Sequence, residues 1–352
     1  MPVSARTWGA VVVVGALLAG CGGSSGRTAP TPTPSATSSV DALPPAPEPA
    51  VAPPPVRTPA GRVVDVGSPV EGIVVDGPTN TVVAALRDRR LALLDARTGN
   101  VRTTVVVPGT ARHLQLAKPG GPVLVPGEDT DLLAQVSLPA GQVVASTRVG
   151  RQPHDAGFDP ASQRIVVADE LAGSVSFVAG DRSVAQLPGP VQPGGLAVTD
   201  GRAGVVDVRG AAVYVYDVAA AREVARLPAG NGPTHAVPLG HGRILVADTR
   251  GNALLVYRLD GTPSGPERYD QPGTPYGLAV DPDRSRVYVA LSATNEVLRF
   301  DLLPDGRLRR VGDPLPTVQQ PNSLAVDPRT GSLFIGSSAA PGQVQLTSPP
   351  AG

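Results

Sequence analysis

An all-β, seven-bladed β-propeller is the fold this sequence predicts, built from four-stranded antiparallel blades and closed by an N-terminal strand that pairs into the last blade. Three observations predict it. First, seven segments share one pattern, a Pro- or Gly-bearing turn followed by a short polar stretch and then apolar residues. Their marker residues are Glu71, Arg112, His154, Gly194, Thr234, Tyr276 and Asn322, spaced by 41, 42, 40, 40, 42 and 46 residues. A period of 40–45 with several strands per unit belongs to propellers rather than helical arrays. Second, each repeat divides into four stretches of alternating polarity separated by turn residues. After GLAVD (277–281) come PDRS, RVYVALS, ATN, EVLRFDL, a PDG turn and LRRVGDP. Third, the last repeat runs out of chain. Only 30 residues follow Asn322, enough for three strands. The missing outer strand is present before the first repeat, in GRVVDVGSP (61–69), so residues 62–66 are expected to close the ring.

The elements follow in order. Residues 1–20 read as a secretory signal, with Arg6 ahead of an eleven-residue apolar run from Trp8 to Leu18. A membrane-spanning helix needs about 20 residues, so the run matches a signal core instead. It ends in Leu18-Ala19-Gly20-Cys21, which resembles a bacterial lipobox, and Cys21 is the only cysteine of the chain. The expectation is a lipoprotein whose mature N-terminus is Cys21 carrying fatty-acyl chains such as palmitate, held on the extracytoplasmic face of a bacterial cell membrane. Two acyl chains make such an anchor stable. Residues 21–60 hold the acylated Cys and a stretch rich in Pro, Ala, Ser and Thr. Eleven of the residues from 22 to 60 are Pro. Such composition buries too little apolar surface to offset ordering, so a disordered tether is expected through Ala60. Residues 61–352 form the propeller domain. The best helical candidate within them, VAAAREV (218–224), falls where the other repeats turn.

Composition agrees with this reading. Gly (41) and Pro (40) supply turns, and aromatics are only 3% of 352 residues, which leaves the core to Val, Leu, Ile and Ala. β-Branched residues suit a pleated surface. A formal net charge of zero gives no field to hold nucleic acid. The basic loop Arg87, Arg89, Arg90 lacks interleaved aromatics. A single Cys excludes an internal disulfide framework. There is no zinc-type Cys/His spacing, no GxSxG elbow and no phosphate loop.

The repeats resemble the YVTN-type β-propellers, a family that includes YncE-like and lactonase-like proteins. PYGLAVDPDRSRVYVALSATNEVLRFDL (275–302) carries the resemblance most fully, and it extends over about 61–348. It implies the fold, with the Asp-Pro pairs at Asp159, Asp281 and Asp327 opening the first turn of a blade. It implies no single activity, because the family houses binding proteins and enzymes alike.

Candidate chemistry concentrates at one repeat position. The marker residues are expected to ring one mouth of the channel as a solvated rim, with Asp88, Glu128, Asp129, Asp169, Glu170, Asp248 and Asn295 further out. The candidate ligand-binding set is Glu71, Arg112, His154, Asp155, His235, Tyr276 and Asn322. Arg112 would hold an anionic group, Tyr276 would offer a flat face with a hydroxyl, and Asp155 would orient and charge His154. A bound molecule would then be small, polar and anionic. No cofactor is expected. The alternative is a divalent cation such as calcium on Glu71 and Asn322, expected to be neighbours across the closure. Gluconolactonase-like propellers hold a cation on Glu, Asn and Asp, although Glu71-Gly72 here lacks the following Pro of that family. His235 and His241 lack the partners that streptogramin-lyase-like chemistry would want. The chain is therefore expected to be a monomeric, non-catalytic binding or scaffold protein of the cell envelope, its partners being the membrane through its anchor and an envelope protein or small ligand. A lactonase-like or metal-dependent hydrolase or lyase is the alternative.

Overall fold

A computed structural model describes residues 43–348. The signal sequence and Cys21 lie outside the described residues. The 28 strands form seven four-stranded antiparallel sheets, and no helix of the described residues is long and apolar enough to cross a membrane. Blades are numbered 1–7 from Val70 and strands a–d outward from the axis. VAAAREV turns at Val218–Ala221 and then enters the outer strand Arg222–Pro228.

Closure is as expected. Arg62–Asp65 pairs antiparallel with Gln343–Thr347, in the register Arg62↔Leu346 and Asp65↔Gln343. The seventh sheet is thus three C-terminal strands and one N-terminal strand.

The sequence pattern explains where the core lies. Inner strands such as Pro153–Asp159 and Pro275–Asp281 are buried almost throughout, whereas outer strands such as Val101–Val106 are exposed. Apolar side chains of strands b and c project from both faces of each blade into the neighbouring blades. The result is seven separate apolar clusters, one for every pair of adjacent blades. The cluster that seals the ring joins Ala325, Phe334 and Val344 of blade 7 to Val70, Val82 and Leu94 of blade 1. Blade 2 is the least regular. Its inner strand is only Gln115–Leu116, because Pro119-Gly-Gly-Pro122 follows and proline has no amide hydrogen for the ladder.

Two sets of aspartates fix the turns. Asp76, Asp159, Asp281 and Asp327 end inner strands and accept bonds from backbone N–H groups two or three residues on, at 2.9–3.1 Å. This is the turn chemistry expected of the Asp-Pro pairs at 159, 281 and 327, and Asp76 makes the same turn ahead of Gly77. Asp169, Asp207 and Asp248 end strand b and are buried. Each accepts from the loop arriving from the previous blade, through Gly150 N, Val191 N and Gly232 N respectively. Asp169 and Asp248 are therefore clasps of the mouth loops rather than ligand groups.

The tether behaves differently from expectation after residue 42. Residues 43–60 lie along the mouth face as an extended strap, gripped by side chains of blades 4–7. Arg209 donates to Leu43 O and Pro44 O, both at 2.9 Å, and Arg250 donates to Pro45 O at 2.7 Å. Ser292 accepts from Ala50 N at 3.2 Å, and Gln320 both donates to Ala50 O and accepts from Ala52 N at 2.7 Å. Gln319 donates to Ala52 O and Asn295 to Pro53 O. Ala52 is 3% exposed, Pro47 is buried, and Ala46 packs on the cluster between blades 4 and 5. Composition argues against a self-supporting fold for this stretch. It does not exclude an extended chain docked on a prebuilt surface, where proline lowers the ordering entropy.

Candidate functional site

The repeat position singled out by the sequence gathers at one end of the channel, but as a packed layer. Glu71 (8% exposed), His154 (9%), Asp155 (3%), Thr234 (6%), Tyr276 (8%) and Asn322 (6%) are all buried. The expected solvated rim is corrected accordingly. The inner strands start here and crowd together, and the strap passes above them.

At the residue after each marker, blades 1, 4 and 6 carry Gly72, Gly195 and Gly277. A Cβ on Gly195 would stand 2.3 Å from Thr234 O, and one on Gly72 2.4 Å from Arg112 O. Glycine there lets neighbouring inner strands touch backbone to backbone. Blades 2, 3 and 5 place His113, Asp155 and His235 at the equivalent position, and these side chains fill the axis.

Four rings cross the mouth in series. His154 meets His113 edge-on with centroids 4.7 Å apart, His113 stacks on His235 at 4.3 Å, and His235 meets Tyr276 edge-on at 4.2 Å. His113 was not among the sequence candidates. The available signal was its position, one residue past a marker, matching His235.

Charges surround this row. His154 Nδ1 donates to Glu170 Oε2 at 3.0 Å and stands 3.2 Å from Glu128 Oε1. Burial works against its charge, but bonds to Glu128 and Glu170 outweigh this and raise its pKa to about 10. Burial likewise opposes the charge of Glu170, and His154 overrides it to hold the carboxyl at about 2. Gln152 and Gln192 also donate to Glu170, at 3.0 and 2.7 Å. The pair is an imidazolium shared by two carboxylates. The expected pairing of His154 with Asp155 is corrected. Asp155 instead accepts from Gln115 Nε2, Ala156 N and Leu196 N at 2.8–2.9 Å and faces His113 at 3.3 Å. Glu128 and Glu170, placed further out by sequence, are central because their loops fold inward over the mouth.

Arg112 lies 3.2 Å from Glu128 through Nε, with 40% of its side chain exposed. Its burial is outweighed by the negative charges of Glu128 and Glu71, by Tyr276 and by Glu48 of the strap, so its pKa is raised. Burial pushes the Tyr276 phenol upward. His235 is driven well below its ordinary value by burial and by the neighbouring His113, His154 and Arg112, so its ring is neutral. Glu71 and Asn322 are neighbours across the closure, with Asn322 Nδ2 donating to Glu71 O at 3.2 Å. The carboxylate of Glu71 is bonded by Arg87, at 2.7 Å through Nε, which takes the place a cation would need. His241 sits at the a–b turn of blade 5, at the opposite end of the strands. Behind the ring row lies an off-centre apolar channel of about 580 Å³, lined by residues such as Ile73, Leu116, Val237, Leu278 and Leu324 and reaching to Gly240 and Pro282. Gln115 of blade 2 reaches across to blades 3 and 4, donating to both Asp155 and Leu196 O, and so narrows the channel on that side.

Ring closure, four-stranded blades and a polar layer at one end of an axial channel define the chain as a seven-bladed β-propeller. Solved propellers of quite different roles share its shape. Hydrazine synthase of Kuenenia stuttgartiensis is 16% identical with a TM-score of 0.69, covering 81% of this chain and 97% of that one. The WD40 repeats of RRP9 are 15% identical at 0.70, covering 83% and 99%. Virginiamycin B lyase of Staphylococcus aureus is 11% identical at 0.66, covering 81% and 98%. At such identities the likeness is one of fold alone. No family model matches the sequence, and no curated protein does.

Proposed function

We propose that this chain is a membrane-anchored, extracytoplasmic β-propeller that binds a partner in the cell envelope without converting it. The observation that carries this reading is that the charged groups of the mouth are spent on one another beneath the strap, the imidazole of His235 being neutral and, among the described residues, unbonded at Nδ1. Glu71 is held by Arg87, Arg112 by Glu128, His154 by Glu128 and Glu170, and Asp155 by Gln115 and two backbone amides. General acid–base catalysis needs a group free to exchange a proton with substrate, and a buried imidazolium between carboxylates is poorly suited to that. The anchor rests on the lipobox-like Leu18-Ala19-Gly20-Cys21. The 21 residues from Gly22 to Ala42 would span about 65 Å if fully extended, which sets how far the propeller can stand from its anchor. Cys21→Ala is expected to move the protein from the detergent phase to the aqueous phase. Retention of the variant in the detergent phase would remove the anchor from the proposal.

A hydrolase or lyase remains the second reading, because one observation favours it. Ligand atoms of Glu128, His154 and Glu170 all lie within 4.8 Å of one another, which is metal-site spacing. Against it, the imidazolium already supplies the positive charge there, and Arg112 adds a second cation. Calcium or manganese at millimolar concentration is expected to shift the melting temperature by less than about 1 °C, since binding raises stability only in proportion to RT ln(1 + [L]/Kd). A rise of several degrees that Glu170→Gln abolishes would transfer the proposal to the enzymatic reading.

A further inference from the structure

We infer that the mouth face is a recognition surface for extended, proline-rich segments bearing a carboxylate, and that residues 43–57 fill it in cis, so that a like segment of another polypeptide binds only when the strap is displaced. The inference rests on the binding reading above and names the partner's chemistry.

Four observations carry it. The grip is on backbone: Arg209, Arg250, Ser292, Asn295, Gln319 and Gln320 all bond strap carbonyls or amides. Those groups are unpaired in any polyproline-type chain, which is why such chains are read by preformed polar and aromatic surfaces. The grip is also built independently of the strap. Asn295 Oδ1 accepts from Gln320 N at 2.8 Å, and Ser292 Oγ donates to Thr274 O at 3.1 Å. A surface held in place by its own fold loses little entropy on binding. Next, apart from the pairing of Arg57 with Glu296, the strap makes few demands on sequence. Small Ala52 and the ring of Pro47 are the buried side chains at the mouth, and Pro47 lies against Gly232, where a Cβ would come within 3.2 Å of Pro47 Cβ. Last, Glu48 is the only acid of the strap, and its charge reaches both Arg112 and Tyr276. Arg112 pairs with Glu128 of the body and keeps 40% of its side chain exposed, so a carboxylate carried by the strap has access to it.

Attachment in cis gives the strap an effective concentration on the order of millimolar. A free peptide of weaker affinity therefore competes poorly with it. The probe is a fluorescent peptide of residues 43–57, LPPAPEPAVAPPPVR, followed by anisotropy. A chain beginning at Thr58 retains every strand, since the first begins at Arg62. It is expected to bind the peptide with Kd of about 10–100 μM, and the full chain at least about 10-fold more weakly, as the effective concentration requires. Peptide E48Q should bind the shortened chain several-fold more weakly. Gln320→Ala in the shortened chain should cost at least about 5-fold, the usual worth of about 1 kcal/mol of lost hydrogen bonding, with no change in melting temperature. If the shortened chain does not fold, the full chain cut after folding at a protease site placed between Thr58 and Pro59 serves instead. Absence of binding to a folded, strapless body overturns the inference, as does equal binding by strapped and strapless forms. Either result leaves the binding reading standing. A cation response abolished by Glu170→Gln would instead overturn that reading.

Discussion

Removing residues 1–68 is expected to lower the melting temperature by about 10 °C and to cause aggregation, whereas removing residues 1–57 lowers it by only about 2–4 °C. The first deletion takes away Arg62–Asp65, the outer strand of blade 7. It also removes Val64 and Val66, which pack against the cluster that seals blade 7 to blade 1. Each ladder hydrogen bond contributes about 0.5–1.5 kcal/mol net. With the apolar burial lost at Val64 and Val66 the sum is about 4 kcal/mol, and 1 kcal/mol shifts a domain of this size by roughly 2–4 °C. Gln343–Thr347 would then present a free edge, the kind of surface that pairs with other chains. The shorter deletion removes the strap, whose bonds are at the surface and exchange for water. The strap's docking makes that smaller deletion measurable, where a free tether would leave no trace. Equal melting temperatures for the two truncations would contradict closure by the N-terminal strand.

His154→Leu is expected to cost about 3–5 kcal/mol at pH 6, the range found when one member of a buried ion pair is removed. Glu128 keeps Arg112, and Glu170 keeps Gln152 and Gln192, but neither keeps the imidazolium between them. The pH dependence has a defined sign. His154 titrates at about 10 in the folded chain against an ordinary 6.5. The stability it lends is complete below pH 6.5 and is lost as pH rises toward 10. Glu170 titrates at about 2 against 4.5, so its contribution is complete above pH 4.5 and lost as pH falls toward 2. Wild-type stability should thus be highest between about pH 4.5 and 6.5 and should decline on both sides. In His154→Leu the alkaline decline attributable to this group disappears. Urea melts from pH 5 to 10 on both proteins measure this, and a wild-type stability unchanged between pH 6 and 9.5 would exclude the shared imidazolium.

The site was legible only in part. Recurrence of polar types at one repeat position located the polar layer at one end of the channel, and it placed Glu71 beside Asn322. Partnership was not legible, because it depends on loops from different blades. Glu128 and Glu170 reach His154 from the b–c loops of blades 2 and 3, separated from it by 26 and 16 residues. His113 reaches His235 across the axis from another blade. Burial was misjudged for the same reason. A strand start looks solvated when read alone, and becomes a packed layer only when seven such starts converge and glycines at 72, 195 and 277 let them touch.

What the sequence determined by itself is the ring: its period, its four-stranded unit, the aspartate turns and the strand borrowed from the N-terminus. These are local or repeating properties, set by period-2 alternation and turn chemistry, and seven near-copies report them redundantly. Tertiary structure alone decided the mouth. Whether a histidine is neutral or charged depends on neighbours from other blades: His235 lies neutral against His113 and Tyr276, and His154 is charged between two glutamates. Whether a proline-rich stretch hangs free or docks depends on a surface that only the assembled ring presents. Local pattern fixes backbone path, while charge and docking are set by groups brought together from distant positions in the chain.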